Sequence, residues 1–269
     1  MKNILFPTDF SDNSWNALVY ILKLHAQSEV VFHLLHSVNI QENHFTSFSN
    51  HTPENVQVEL LKFKKYAEDT NTNANHSFNI ILSELTLENA ISLAVKKYHI
   101  DLVVMGTKGA TISEHEVISS TSLQVIQKMK GCPILVIPET YDYTDLDEVA
   151  VVTDFNEPYI ERDLYPLKHL ESYANIKVVS FNLNQELNVI QKFYKSQLEK
   201  LLADYDYSFH MLPDNTDKIN EINAFIKEFN IDIIVFVNSK SHFLQEPLKE
   251  SVIHTMGDAP RIPFLVIQE

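Results

Sequence analysis

The sequence predicts an α/β chain of two tandem doubly wound domains, each a five-stranded parallel sheet with helices on both faces. Three observations predict it. Short runs rich in Val, Ile and Leu alternate with longer stretches of helical periodicity, the pattern of βαβ units. That alternation runs to about residue 140 and then starts again, with matching segments in the same order. The 269 residues, 45% hydrophobic and 21% charged, suffice for two modest cores.

The first strand is Asn3-Ile-Leu-Phe-Pro-Thr8. After Asp9-Phe-Ser-Asp-Asn comes a helix in which Trp15, Leu18, Val19 and Leu22 fall at helical spacing, with Ser11 or Asp12 as its N-cap. Val30 to Val38 is the second strand, followed by a polar Asn/Ser/His loop and a helix from Pro53 to Thr70. Ser77 to Ser83 is the third strand and Leu87 to Tyr98 the third helix. Asp101-Leu-Val-Val-Met105 is a buried strand that runs into a glycine pair. Ser119 to Lys130 forms the fourth helix and Pro133 to Pro138 the fifth strand.

The stretch Glu139 to Asp147 is polar and acidic and reads as a linker, which places the domains at 1–140 and 147–269. Beyond it, Val149-Ala-Val-Val-Thr-Asp-Phe155 echoes Ile4-Leu-Phe-Pro-Thr-Asp-Phe10. Ile231-Asp-Ile-Ile-Val-Phe236 echoes Ile100-Asp-Leu-Val-Val-Met105, and Pro263-Phe-Leu-Val-Ile267 echoes Pro133-Ile-Leu-Val-Ile137. Three echoes in order imply two copies of one fold.

Charge narrows the partners. Lys plus Arg number 21 against 36 Asp plus Glu, a formal net charge of −15, which argues against a nucleic-acid or anionic-membrane surface. A small anion held by backbone N–H groups needs no such surplus. The single cysteine, Cys132, forms no intramolecular disulfide and fits a small core residue in a reducing compartment. The start lacks the apolar core of a signal peptide and no run reaches membrane-spanning length, so a soluble cytoplasmic protein is expected. His33 and His36 lie three apart on a strand and face opposite sides, so they do not chelate together; no metal site and no nucleophile–base arrangement is expected.

Glycine is the most telling count: four in the chain, of which Gly106 and Gly109 sit in Met105-Gly-Thr-Lys-Gly109. A chain so sparing of glycine keeps these for a backbone reason, a positive φ, a tight turn or a close ligand approach. About ten residues on, Ser119-Ser-Thr-Ser122 opens the fourth helix, where hydroxyls and free N–H groups suit phosphate or simply cap the helix. Asp9, directly after the first strand, suits hydrogen-bond donors of a base or ribose, or serves as a turn or capping residue. Ligands of open parallel sheets bind beyond the carboxyl ends of strands, where the strand order reverses. These segments together describe a nucleotide cleft.

Pro-Thr-Asp-Phe-Ser, then Met-Gly-x-x-Gly, nine residues, Ser-Ser, then Cys-Pro-Ile-Leu-Val-Ile resembles the universal stress protein family. Family members that bind nucleotides carry Gly-x-x-Gly, nine residues, then Gly and Ser or Thr. Gly106, Gly109 and Ser120 match, while Ser119 stands where the family has glycine. The resemblance implies binding of ATP or a related adenine nucleotide, with or without Mg2+, and at most slow hydrolysis, in stress response or signalling. By position, Pro7, Thr8 and Asp9 would meet adenine and Ser37 or Val38 the ribose. Met105, Gly106, Lys108 and Gly109 with Ser119, Ser120 and Thr121 would hold the phosphates. Glu114 and Glu116 in the intervening loop either face solvent or hold a Mg2+ that bridges the phosphates. In the second copy Val237, Lys240 and Glu250 stand opposite Gly106, Gly109 and Ser119, so that copy is expected to be structural. The two copies would pair as an intramolecular pseudo-dimer, with or without a further homodimer. The alternative is a tandem scaffold that binds no nucleotide and acts through protein contacts.

Overall fold

The structure, a computed structural model, describes residues 1–38, 53–107, 120–170, 175–182, 186–213, 218–237 and 262–267. Among them, the residues up to Tyr143 form one compact unit and those from Thr144 onward a second.

The first unit contains β1 (Lys2–Pro7), α1 (Asp12–Leu24), β2 (Val30–Ser37), α2 (Pro53–Thr70), β3 (His76–Ser83), α3 (Leu87–Tyr98), β4 (Leu102–Gly106), α4 (Ser120–Lys128) and β5 (Ile134–Ile137). Its strands run in the order β3-β2-β1-β4-β5, every pair parallel. Ile4, Leu5 and Phe6 of β1 are fully buried, as a central strand covered on both faces must be. Side-chain alternation sorts the helices. Phe6 stacks on Phe63 of α2, whereas His33, in register with Leu5, stacks on Tyr98 of α3. One face therefore carries α1 and α2 and the other α3 and α4. His36 stacks on Phe10, on the α2 side, so the two histidines do face apart.

α1 differs from the expected stripe. Its most buried residues are Ala17, Leu18, Tyr20 and Ile21, followed by Asn13, Ser14 and Leu24, whereas Trp15 and Val19 are only half-buried. The helix packs deeply against β4 and β5, where small residues allow a close approach, and its bulky Trp15 lies to the side, edge-on to Phe63. The start of the expected linker is not loose. The Asn16 carboxamide donates towards the carbonyls of Pro138, Glu139 and Tyr141, and Tyr20 packs against the rings of Tyr141 and Tyr143.

The second unit contains β6 (Glu148–Thr153), α5 (Glu161–Leu164), a 3-10 helix (Tyr165–Leu170), β7 (Asn175–Asn182), α6 (Val189–Leu201), β8 (Tyr207–Pro213), α7 (Lys218–Phe229), β9 (Ile233–Val237) and β10 (Phe264–Ile267). Its parallel order, β8-β7-β6-β9-β10, repeats that of the first unit. The counterpart of the 13-residue α1 is here a four-residue helix and a 3-10 segment. Pro158 and Pro166 stand where α1 has Asn13 and Ile21, and a proline inside a helix removes an N–H and clashes with the preceding turn.

Candidate functional site

β1 leads by way of β2 to β3 on one side, and β4 leads to β5 on the other, so strand order reverses between β1 and β4. Leu5 pairs with Val103, which brings Pro7 level with Met105 and sets Thr8-Asp9 beside Gly106-Thr107. Two of the predicted segments thus meet at the place where this sheet type binds ligands.

The β1 end is a self-braced turn. Phe10 takes a left-handed φ of 65°. The Thr8 hydroxyl accepts the Phe10 N–H at 3.0 Å and shares a 2.5 Å hydrogen bond with the Ser14 hydroxyl. Asp9 is exposed, and its Oδ1 accepts both the N–H and the hydroxyl of Ser11, at 3.1 and 2.6 Å. Ser11, not Asp12, caps α1, its hydroxyl accepting the Ser14 N–H at 3.2 Å. Asp9 is therefore a turn residue whatever else it does.

The β4 end explains its first glycine. Gly106 does not take a positive φ; a Cβ there would stand 2.8 to 2.9 Å from the Asn13 carboxamide, closer than real side chains approach. The close neighbour is thus the first turn of α1. Ser122, buried in α4, donates its hydroxyl to the Gly106 carbonyl at 3.1 Å, while Thr121 is exposed. Ser122, the last member of the serine cluster, thus ties α4 to β4. Lys108, Gly109 and Ser119 lie outside the described residues, as do Glu114 and Glu116.

Ser37 and Val38, expected beside a ribose, already have partners. The Ser37 hydroxyl donates to the Leu85 carbonyl at 2.5 Å, and the Val38 N–H donates to the Ser83 carbonyl at 2.8 Å. Around them Phe10, His36, Trp15 and Phe63 make an aromatic cluster, with Phe10 and His36 stacked 4.6 Å apart. His36 Nδ1 lies 2.7 Å from the Thr8 carbonyl, so Nδ1 carries a proton and donates. Asn13, Ser14, Thr107 and Ser122 complete the buried polar floor. In the sequence they are ordinary polar residues beside the motifs.

Cys132 is buried against the Ile100 carbonyl, and burial pushes its thiol up to about 12. It is a core residue. Among the described residues no helix is long and apolar enough to cross a membrane, and no group of three or more His, Cys, Asp or Glu is placed to hold a metal.

The second unit keeps the turn and carries larger side chains at two of the corresponding positions. Thr153 accepts the Phe155 N–H at 3.1 Å, Asp154 accepts the Asn156 N–H at 3.0 Å, and Phe155 has a φ of 54°. Where the first unit has Ser14, the second has Tyr159, whose buried hydroxyl bonds to Thr153; burial pushes that phenol well above its ordinary value. Where the first unit has Gly106, the second has buried Val237.

Known proteins agree with this architecture. A universal stress protein of Methanocaldococcus jannaschii is 29% identical over 143 residues, which cover 51% of this chain and 81% of that one. The crystal structure of a universal stress protein from Archaeoglobus fulgidus DSM 4304 covers 99% of this chain and 98% of its own, with 18% identity and a TM-score of 0.71. A putative universal stress protein from Pseudomonas aeruginosa UCBPP-PA14 covers 100% of this chain and 93% of its own, with 14% identity and a TM-score of 0.62. At those identities the two structures speak for the fold. The model of the universal stress protein family matches residues 1–138, half of the sequence and the unit whose β1 and β4 ends carry the motifs, and the chain belongs to that family.

Proposed function

We propose that the first unit binds an adenine nucleotide, ATP or AMP, at the carboxyl ends of β1 and β4, in a stress-response or signalling role, and that the second unit is structural. The observation that carries this reading is the meeting of Thr8-Asp9 with Met105-Gly106-Thr107 at the reversal of strand order. Asp9 offers acceptors at the exposed rim, suited to the N–H and O–H donors of a nucleoside. Met105 to Gly109 with Ser119, Ser120 and Thr121 would hold the phosphates, with Mg2+ as an optional bridge. Any hydrolysis would be slow. Pairing of the two copies within one chain rests on the sequence repeat.

The test is calorimetric titration of the full chain with ATP and AMP, with and without Mg2+. Asp9→Asn keeps the Oδ1 that accepts from Ser11 but replaces a charged acceptor by a carboxamide. It is expected to weaken nucleotide binding about tenfold, the difference between a charge-assisted and a neutral hydrogen bond, while leaving the unfolding midpoint in place. Absence of binding to the unaltered chain at millimolar nucleotide would sink the proposal.

Such a result would leave the second reading, a scaffold acting through protein contacts. Two observations favour it: the Val38 N–H and the Ser37 hydroxyl are spent on β3 and its following turn, and Gly106 is accounted for by Asn13.

A further inference from the structure

At the opposite end of the first sheet from the cleft, buried His76 opens β3. Its Nδ1 lies 2.7 Å from Asn71 Oδ1 and its Nε2 lies 2.9 Å from the His25 carbonyl. Both contacts are to acceptors. The orientation of Asn71 is fixed independently: its Nδ2 donates to the Asn73 carbonyl at 2.7 Å and its Oδ1 accepts the Asn73 N–H at 3.2 Å, so turning the carboxamide over would set donor against donor and acceptor against acceptor. A neutral imidazole has one N–H and satisfies only one of two acceptors; the imidazolium satisfies both.

We propose that His76 is held as the imidazolium in the folded chain and acts as a proton-dependent clamp, joining the end of α1 to the α2–β3 turn. The elements around it suit a cation. His25 is the C-cap of α1, where the helix dipole places partial negative charge, and the imidazole lies nearly perpendicular to the Phe32 ring from β2, 5.1 Å between centroids. His25, whose carbonyl takes one of the two bonds, is itself titratable, and its imidazole is fully buried. Asn73 extends the clamp, donating from Nδ2 to the Ser28 carbonyl at 2.7 Å.

On this proposal the two hydrogen bonds to acceptors outweigh the cost of burying the charge, and the folded-state titration of His76 lies above its unfolded value of about 6.5. The clamp's contribution is therefore complete below about pH 6.5 and is lost as pH rises through the folded-state titration. One bond then has to be surrendered, at the α1 end or at Asn71.

The test uses the full chain with 15N-labelled histidine, the His76 signals being assigned by their loss in His76→Gln. At about pH 7.5, where an ordinary imidazole is about nine-tenths neutral, His76 is expected to show two protonated ring nitrogens. One unprotonated nitrogen at that pH overturns the proposal. If His76→Gln does not fold, Asn71→Leu replaces it: only one ring histidine should then change state, becoming neutral at about pH 7.5, and no change in any histidine is the contrary result. Denaturant unfolding gives a second readout. The stability advantage of the unaltered chain over Asn71→Leu should fall about tenfold in the unfolding constant for each unit by which the titration is raised, across the alkaline side of pH 6.5. A pH-independent advantage counts against a charged His76.

Discussion

Gly106 is the residue at which sequence and structure give different reasons for the same choice. Its scarcity value in a chain with four glycines marked it, and the natural reading was room for a ligand. The structure puts the Asn13 carboxamide within 2.8 Å of the absent Cβ, a neighbour 93 positions away that no local spacing reveals. A methyl group there must push α1 off the end of β4 or force Asn13 from its rotamer. Gly106→Ala is therefore expected to destabilise the chain by about 1–3 kcal/mol, the usual range for overpacking. Asn13→Ala in the same chain should recover much of that loss. Urea unfolding of the two single variants and the double variant measures the coupling, and strictly additive effects would show that the two groups do not meet. Ser122 teaches the same lesson in a smaller way. Thr121 and Ser122 are equivalent as letters, yet about 100° of helical rotation puts one in solvent and the other on the Gly106 carbonyl.

At the scale of elements, α1 shows how local chemistry sets a boundary that the site then uses. Ser11 supplies the cap and simultaneously fills the Oδ1 of Asp9, so one hydroxyl starts the helix and fixes the exposed carboxylate. Ser11→Ala removes both bonds. It is expected to cost about 1 kcal/mol, seen as a lower urea midpoint, and to leave α1 in place because its buried face is unaltered. A change in far-UV ellipticity equal to a whole helix would contradict this. The bounds of α3 were legible to the residue and α2 was legible near its observed span; Pro53 starts α2, and His99, in the left-handed conformation, ends α3. The deep face of α1 was not, because Ser14 and Ala17 are small and carry no hydrophobic signal, while Trp15 is large and only half-buried. α5 was illegible for a further reason: two prolines break the helix that the repeat would otherwise have supplied.

Across the whole molecule, the repeat is deeper in geometry than in letters. Asp101 and Asp232 each send Oδ2 to backbone N–H groups at the start of the first strand of their own unit, at 2.8 Å to Asn3 and at 2.9 Å to both Asp147 and Glu148. His99 and Asn230 take the same left-handed turn, as do Phe10 and Phe155. The echoed segments were visible in the sequence because they carry these framework bonds, which each copy needs in order to fold. The clefts have no such requirement, and there the copies diverge: Ser14 becomes Tyr159 and Gly106 becomes Val237, both bulky and both buried. A tyrosine hydroxyl bonded to Thr153 and a branched side chain at the end of β9 stand where the first unit has a serine and a glycine. If the first unit binds an adenine nucleotide, the chain should therefore bind one and not two. Equilibrium dialysis with saturating ATP should give about one nucleotide per chain. Amide exchange should slow at the ends of β1 and β4 and stay unchanged at the ends of β6 and β9, because protection follows the site that is occupied. Two nucleotides per chain, or protection around Thr153 and Val237, would mean that Tyr159 swings out to admit a ligand and that the second unit is not closed.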